Sequence, residues 1–304
     1  MPTYNYTYAL DKGFYTNLSW VKFQRPAEPS HYKIFRDFKQ KCPSIPLYID
    51  IDDLVFDIPE TNAASRYYKQ REPYTKELFK IADGIVCSTE YLKRKLQKYN
   101  NKISVNSNYL VKAIFGKKTW KEKEYKKPRI LYPGSFNHFS QKSSGGDFSN
   151  ELINYIIKTL DIYEWHFIGG CPFELKNNSK IKLHKWCNYY EYSNKIKEIN
   201  PTVAIAPLED NEFNKCKSNI KLLEYCALGI PGLYQNLEPY NEASYKFSTI
   251  DEFIDKLENL IKDVNIQHNV WYNDYNLVKD NLYLEDNMLN WINAHLKLMN
   301  KVIK

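Results

Sequence analysis

Short apolar runs alternate along this chain with longer stretches in which apolar residues recur every three or four positions. That alternation predicts strands interleaved with amphipathic helices. Residues 20–24 (WVKFQ) alternate as a strand does and stop at Arg25-Pro26, and residues 31–41 carry Tyr32, Ile34, Phe35 and Phe38 at helical spacing. Residues 46–51 (PLYIDI) read as the next strand, 62–83 as a helix, Ile85-Val86-Cys87 as a buried strand, and Ser88-Thr89 as the cap of a further helix. Residues 103–105 make a short strand. Residues 112–128 break the rhythm, with dense, mostly positive charge and no sustained apolar period. The pattern then resumes, with strands at 129–132, 165–168, 181–186, 203–206 and 233–234 separated by helices, among them residues 189–199. Phe253, Leu257, Leu260 and Ile261 mark one more helix, and residues 270–304 read as a helical tail. Repeated strand–helix units predict an α/β fold with parallel, doubly wound sheets.

Composition changes this picture little. The 304 residues suffice for two domains; 43% are hydrophobic and 26% charged. The 26 tyrosines read first as a codon effect of an AT-rich genome. No run approaches the length of a membrane span, and the polar N-terminus does not read as a signal peptide. Six cysteines without C-x-x-C spacing point to a reduced, intracellular (cytoplasmic) protein without disulfides or a structural zinc site. The net charge of +7 suits a polyanionic partner, an anionic bilayer surface or a nucleotide diphosphate, and equally a solvated lysine-rich surface.

Chemistry concentrates in residues 204–240. A polar loop follows the strand at 203–206. Ser218 then stands as the cap of a helix whose Ile220, Leu222, Leu223 and Ala227 face a core, and Gly229 and Pro231 end it. Lys217, Ser218 and Lys221 thereby fall near a helix N-terminus at the carboxyl end of a strand, where free N–H groups and the helix dipole favour anions. Glu224, further along the helix, is placed for a hydroxyl-bearing group.

The segment F-N-x-x-K-S-x-I-K-x-L-E-Y-x-A-x-G-I-P, closed by P-Y, resembles the donor-binding segment of GT-B glycosyltransferases, family 4-like. The resemblance spans roughly residues 20–245. It implies a GT-B fold of two Rossmann-like domains facing a cleft: residues 1–111 on the acceptor side, 112–128 as hinge, 129–269 binding the nucleotide sugar, and 270–304 crossing back to the first domain. It implies that Asn214, Lys217, Ser218 and Lys221 serve the donor diphosphate and Glu224 the ribose hydroxyls. It also places Gly134, Ser135 and the basic Lys142 at a glycine loop under the phosphates, and Lys185 and Trp186 at the nucleobase. His138 stands in that loop as a further sugar or phosphate contact, or as neither. Where the family often has a second glutamate touching the sugar, this chain has Cys216, with Glu209 or Asp210 as substitutes.

Asp50, Asp52 and Asp53, at the end of the strand at 46–51, have three readings by spacing: metal ligation, a general base, or capping of the next turn. The matching family segment, D-x-D-D-L-x-F-x-x-P, implies acceptor-side residues and no metal, making Asp52, Asp53 and Lys217 the catalytic candidates. A similar segment, A-D-G-I-V-x-S-T-x-Y-L, sets Ser88 and Thr89 on the cleft floor or leaves them a plain capping pair. The implied reaction is retaining transfer of a glycosyl group from a nucleoside diphosphate sugar, UDP foremost, with no tightly bound cofactor. The acceptor expectation is a hydroxymethylated base in phage-type DNA. The rival is a cell-surface or lipid-linked glycan, and a third reading is a non-catalytic nucleotide-sugar binder. A plain dinucleotide-binding or P-loop protein is disfavoured because neither glycine signature occurs.

Overall fold

The computed structural model describes residues 18–116, 118–123, 125–139 and 146–299. Two separate parallel sheets carry the chain. The first holds β1 (Val21–Gln24), β2 (Leu47–Ile51), β3 (Gly84–Cys87) and β4 (Ile103–Val105) in sequential order. Its helices are α1 (Pro29–Lys41), α2 (Ser65–Ile81) and α3 (Glu90–Leu96). The two faces of this sheet are assigned by the alternation of side chains along a strand. Leu47, Ile49, Ile51, Ile85 and Cys87 belong to the main core with Phe35, Phe38, Leu78 and Phe79 from the helices. Tyr48 and Val86 pack instead on Leu298, near the end of the chain.

The second sheet has six parallel strands in the order β10-β9-β8-β5-β6-β7: β5 (Arg129–Gly134), β6 (Glu164–Gly169), β7 (Lys182–His184), β8 (Val203–Ala206), β9 (Gly232–Gln235) and β10 (Lys246–Phe247). The strand order reverses between β5 and β8. In open α/β sheets the crevice beyond the carboxyl ends at such a reversal is where ligands bind. The register shows how it opens: β5 pairs with β6 along its whole length, Arg129 to Gly134, but with β8 only at Ile130 and Leu131.

Several expectations need adjustment. The segment after residue 111 is no free tether: α4 (Lys112–Phe115) buries Phe115 completely in the second core, and Lys118 N–H donates to Ala227 O at 3.0 Å. The strand at 181–186 shrinks to three residues. The polar loop after β8 contains a one-turn helix, α7 (Glu212–Lys215), capped by Asn211, whose side chain accepts from Asn214 N–H. The helices flanking it are α5 (Asn150–Thr159), α6 (Tyr189–Ile199) and α8 (Ile220–Ala227). Ser218 does not cap α8: Asn219 holds that position, and the Ser218 hydroxyl accepts from Asn108 Nδ2 at 2.8 Å. Thr89, not Ser88, caps α3, accepting from Leu92 N–H, while Ser88 Oγ donates to Asp52 O at 2.6 Å.

The chain closes with α9 (Ile250–Lys262), α10 (Val264–Val278) and α11 (Met288–Leu296). From α11, His295 Nε2 lies 3.3 Å from Lys22 Nζ on β1, and Tyr48 Oη donates to Leu298 O. The last helix thus covers the second face of the first sheet, as a strap from the second domain.

Candidate active site

The two sheets meet across a cleft, and α7 supplies much of the contact. Phe213 and Cys216 belong to the first domain's hydrophobic core, with Cys216 fully buried. Polar bridges surround this plug: Thr61 Oγ1 donates to Glu209 Oε2 at 2.9 Å, Thr89 Oγ1 to Cys216 O at 3.2 Å, Tyr91 Oη to Glu212 at 3.0 Å, and Arg94 pairs with Glu238 at 3.0 Å. At position 216, where the family that the segment resembles often has a sugar-contacting glutamate, the cysteine is thus a buried packing residue. The side chain at this position points into the first domain, and burial pushes its thiol up to about 12.

Three cavities open along the cleft, and Lys217 lines all of them. One, of about 190 Å³, brings Arg25, Asp53 and Tyr68 of the first domain opposite Ser135, Asn137, His138 and Lys217 of the second. Another, of about 320 Å³, runs past Ser88, Thr89, Asn108, Ser218 and Glu242. Two of the three catalytic candidates, Asp53 and Lys217, thus face one space, while Asp52 stands beside Asp53 on the same guanidinium.

The aspartates do not converge. Asp50 pairs with Lys22 at 2.6 Å, on the face of the sheet covered by α11. Arg25, held at φ +45°, takes Asp53 at 2.6 Å and Asp52 at 3.3 Å. Burial and the neighbouring Asp53 raise Asp52, while Arg25 pulls the other way. Among the described residues no group of three or more His, Cys, Asp and Glu side chains is placed to hold a metal ion.

Across the cleft, the centre of the second domain's site is Asp147, whose sequence context, Gly145-Gly146-Asp147, reads only as a turn. Asp147, with a side chain only 4% exposed, sits at the switch point and accepts three hydrogen bonds: from Glu209 N–H at 3.0 Å, Asn214 Nδ2 at 2.8 Å and His138 Nδ1 at 2.6 Å. Lys217 Nζ lies 3.8 Å away. Burial alone would raise this carboxyl, but Lys217, His138 and the Glu209 amide hold it well below the carboxylate range. His138 is driven down to about 4 by burial and by Lys217, with Lys221 adding and Asp147 opposing. No sequence signal marks Asp147, because its partners come from the β5 and β8 loops, which are remote in the chain.

Asn214, buried to 2% exposure, spends both amide hydrogens internally, on Asp147 and on Glu209 O at 2.9 Å. It fixes the loop that carries Lys217. Lys221 stands over the Tyr132 ring at 5.4 Å, and burial lowers its pKa against the pull of Glu224. Glu224 accepts from Tyr192 Oη at 2.9 Å, and burial pushes it up to about 7. Gly134 ends β5 with the Tyr132 ring folded against it: a Cβ there would meet that ring at 2.6 Å, and the buried Tyr132 Oη has no hydrogen-bond partner among the described residues. Ser135 is half-buried in the cleft wall, and Lys142 lies outside the described residues.

Lys185 and Trp186 follow β7 at the surface. The indole, 63% exposed, packs on Gly169, which has φ +94° and no room for a side chain beneath that ring. Beside it, Phe136, Phe173 and Leu183 line a pocket of about 180 Å³ floored by Gly169 and Gly170.

Comparison with known proteins supports the fold. No family model matches the chain, and no curated protein is similar to it in sequence. Among solved structures, the pneumococcal O-GlcNAc transferase GtfA in complex with UDP and GlcNAc is similar over 96% of this chain (TM-score 0.55, 12% identity). An α,α-trehalose-phosphate synthase (UDP-forming) from Burkholderia xenovorans, in complex with glucose-6-phosphate, is similar over 97% (TM-score 0.57, 8% identity). This chain spans 60% of the first protein's length and 77% of the second's. At such identities the likeness is one of fold: GT-B, two Rossmann-like domains about a cleft.

Proposed function

We propose that this chain is a glycosyltransferase that takes a sugar from a nucleoside diphosphate and transfers it, with retention, to an acceptor hydroxyl, in the manner of family 4. The observation that carries this reading is the placement of Lys217, Lys221 and Glu224 around the β5–β8 switch point, with Lys217 lining the three cleft cavities described above. Preorganised ammonium groups at a site of leaving diphosphate stabilise charge that develops only as the glycosidic bond breaks. Glu224 takes the ribose hydroxyls, and Trp186, on its glycine floor, stacks on the base. UDP is the nucleotide of choice, since the pneumococcal transferase is in complex with UDP and the trehalose-phosphate synthase is UDP-forming.

Residues 129–269 are assigned to the donor and 1–111 to the acceptor, with Asp52 and Asp53 orienting the acceptor through Arg25. The acceptor we favour is a hydroxymethylated base in DNA of a phage. Its support is charge: +7 overall, and Lys118, Lys121, Lys123 and Lys197 around a surface cavity of about 320 Å³. Phosphate contacts by such lysines make binding salt-dependent. The test is mass spectrometry of duplex DNA carrying hydroxymethylcytosine, incubated with the protein and a panel of nucleotide sugars. One added hexose or pentose per modified base supports the reading. Sugar transfer to a lipid-linked glycan instead would move the acceptor and keep the reaction, and no turnover with any donor would overturn both.

A further inference from the structure

His138 and Asp147 form a dyad that the donor site as described leaves without a task. Nδ1 and the carboxylate are 2.6 Å apart. Asp147 is held ionised by Lys217 and the Glu209 amide, so it can only accept, and Nδ1 must carry the proton. The neutral ring then presents Nε2 as a bare lone pair. Among the described residues Nε2 has no hydrogen-bond partner, and the ring lines the two cleft cavities shared with Asn62 and Lys217.

We propose that His138, oriented by Asp147, accepts the proton of the attacking acceptor hydroxyl, and that it takes up this role only when a donor diphosphate occupies Lys217. This deepens the glycosyltransferase reading and rests on it. As the acceptor oxygen forms its bond to the anomeric carbon, its proton passes to Nε2. The bond from the anomeric carbon to the diphosphate breaks, and its electron pair leaves with the diphosphate. Asp147 stabilises the imidazolium that results, as a carboxylate does behind any histidine base. The base lies on the leaving-group side of the site, since Nδ1 is 3.3 Å from Lys217 Nζ, which agrees with retention.

The gating follows from which charges face the ring. Lys217 and Lys221 disfavour the imidazolium and Asp147 favours it; Tyr132 is edge-on at 6.2 Å, and Arg25 and Asp53 close the far side of the cavity as an ion pair. In the empty site burial and the two lysines win, and the ring is a poor base. A diphosphate brings negative charge onto those lysines and reverses the balance. Proton abstraction is thereby tied to the presence of a leaving group, which limits idle deprotonation.

The test is a proton–nitrogen NMR titration of the histidine rings in wild-type protein with and without UDP, binding being confirmed by calorimetry. It is paired with the hydrolysis kinetics of UDP-glucose and UDP-N-acetylglucosamine. His138→Asn keeps a donor toward Asp147 and removes Nε2, and its missing resonance assigns His138. Expected are a rise of His138 by a full pKa unit or more on UDP binding, and a fall of about 100-fold in kcat for His138→Asn with KM changed less than about threefold. UDP binding and donor hydrolysis with either His138 unmoved or kcat retained in His138→Asn would overturn the proposal and leave the glycosyltransferase reading standing. Absence of UDP binding by the wild type would remove that reading, and this one with it. The titration is done on the wild-type chain, and if His138→Asn fails to fold, His138→Gln supplies the assignment.

Discussion

Replacing Cys216 by glutamate separates two accounts of the cleft. If position 216 faced the transferred sugar, Cys216→Glu would supply a sugar contact and raise turnover. In the structure the side chain is fully buried with Phe213 in the first domain's core, and the nearest acidic group acting on it from that domain is Asp53. Lys95, the closest counter-charge, is already paired with Glu212. A glutamate here has two options. It stays inside as the neutral acid, which at pH 7.5 costs about 1.4 kcal/mol for each unit above its ordinary pKa near 4.3, or ~4 kcal/mol in all. Otherwise it swings out and pulls α7 off the first domain, losing the packing of the plug, ~2–4 kcal/mol. Either way the loss is ~2–4 kcal/mol, or roughly 3–6 °C in melting temperature for a protein of this size. The pH dependence distinguishes strain from charge. A group whose folded pKa is raised stabilises least at high pH, so the deficit in Tm shrinks from pH 7.5 to pH 5. Differential scanning fluorimetry of wild type, Cys216→Ala (expected loss of about 1 kcal/mol) and Cys216→Glu at both pH values gives the answer. A glutamate variant that melts with the wild type at pH 7.5, or hydrolyses donor faster, would refute the orientation of this residue.

Asp147→Ala leaves the Glu209 amide, the Asn214 amide and Lys217 without their shared acceptor, and the protein is expected to lose ~3–5 kcal/mol by urea unfolding; a loss below ~1 kcal/mol would mean that the network is not formed. Because Asp147 is held below its ordinary range, its contribution is present above the unfolded carboxylate pKa and is lost only as pH falls through the folded value. Adding UDP at a fixed pH of 7 to Trp186→Ala should show affinity lower by ~5- to 150-fold from lost base stacking, with Tm unchanged because the indole is 63% exposed; equal affinity would place the base elsewhere. Glu224, raised to about 7, must be ionised to accept from two ribose hydroxyls, so UDP affinity should fall as pH drops from 8 to 6. The drop should be steeper in wild type than in Glu224→Gln, in which that carboxylate no longer titrates, and parallel curves would take Glu224 out of the ribose site.

Much of the architecture was legible because it depends on local pattern. Buried parallel strands are short apolar runs, and the helices between them repeat their apolar residues at the period of a helix, so nine of the ten strands among the described residues follow from runs such as Val203-Ala204-Ile205-Ala206, and helices from spacings such as Phe253, Leu257 and Leu260; the two-residue β10 is too short to show. The placement of Lys217, Lys221 and Glu224 at a strand's carboxyl end was legible for the same reason. What failed to show depends on contacts between distant segments. Asp147 reads as a turn residue until Glu209 and Asn214, more than sixty positions on, close over it. Ser218 reads as a cap until Asn108, from the other side of the hinge, takes its hydroxyl. The charged hinge reads as a solvated tether because periodicity cannot register one residue, Phe115, driven wholly into a core.

The most direct test of the account is nucleotide release. Wild type and Lys217→Ala, both checked for a cooperative melt, are incubated with UDP-glucose, UDP-N-acetylglucosamine and their GDP and dTDP counterparts, and free nucleoside diphosphate is measured. The account predicts release from at least one donor by the wild type, lowered about 100-fold in Lys217→Ala as a preorganised charge is lost from the leaving group. Equal release by both proteins, or none by the wild type from any donor, would contradict it.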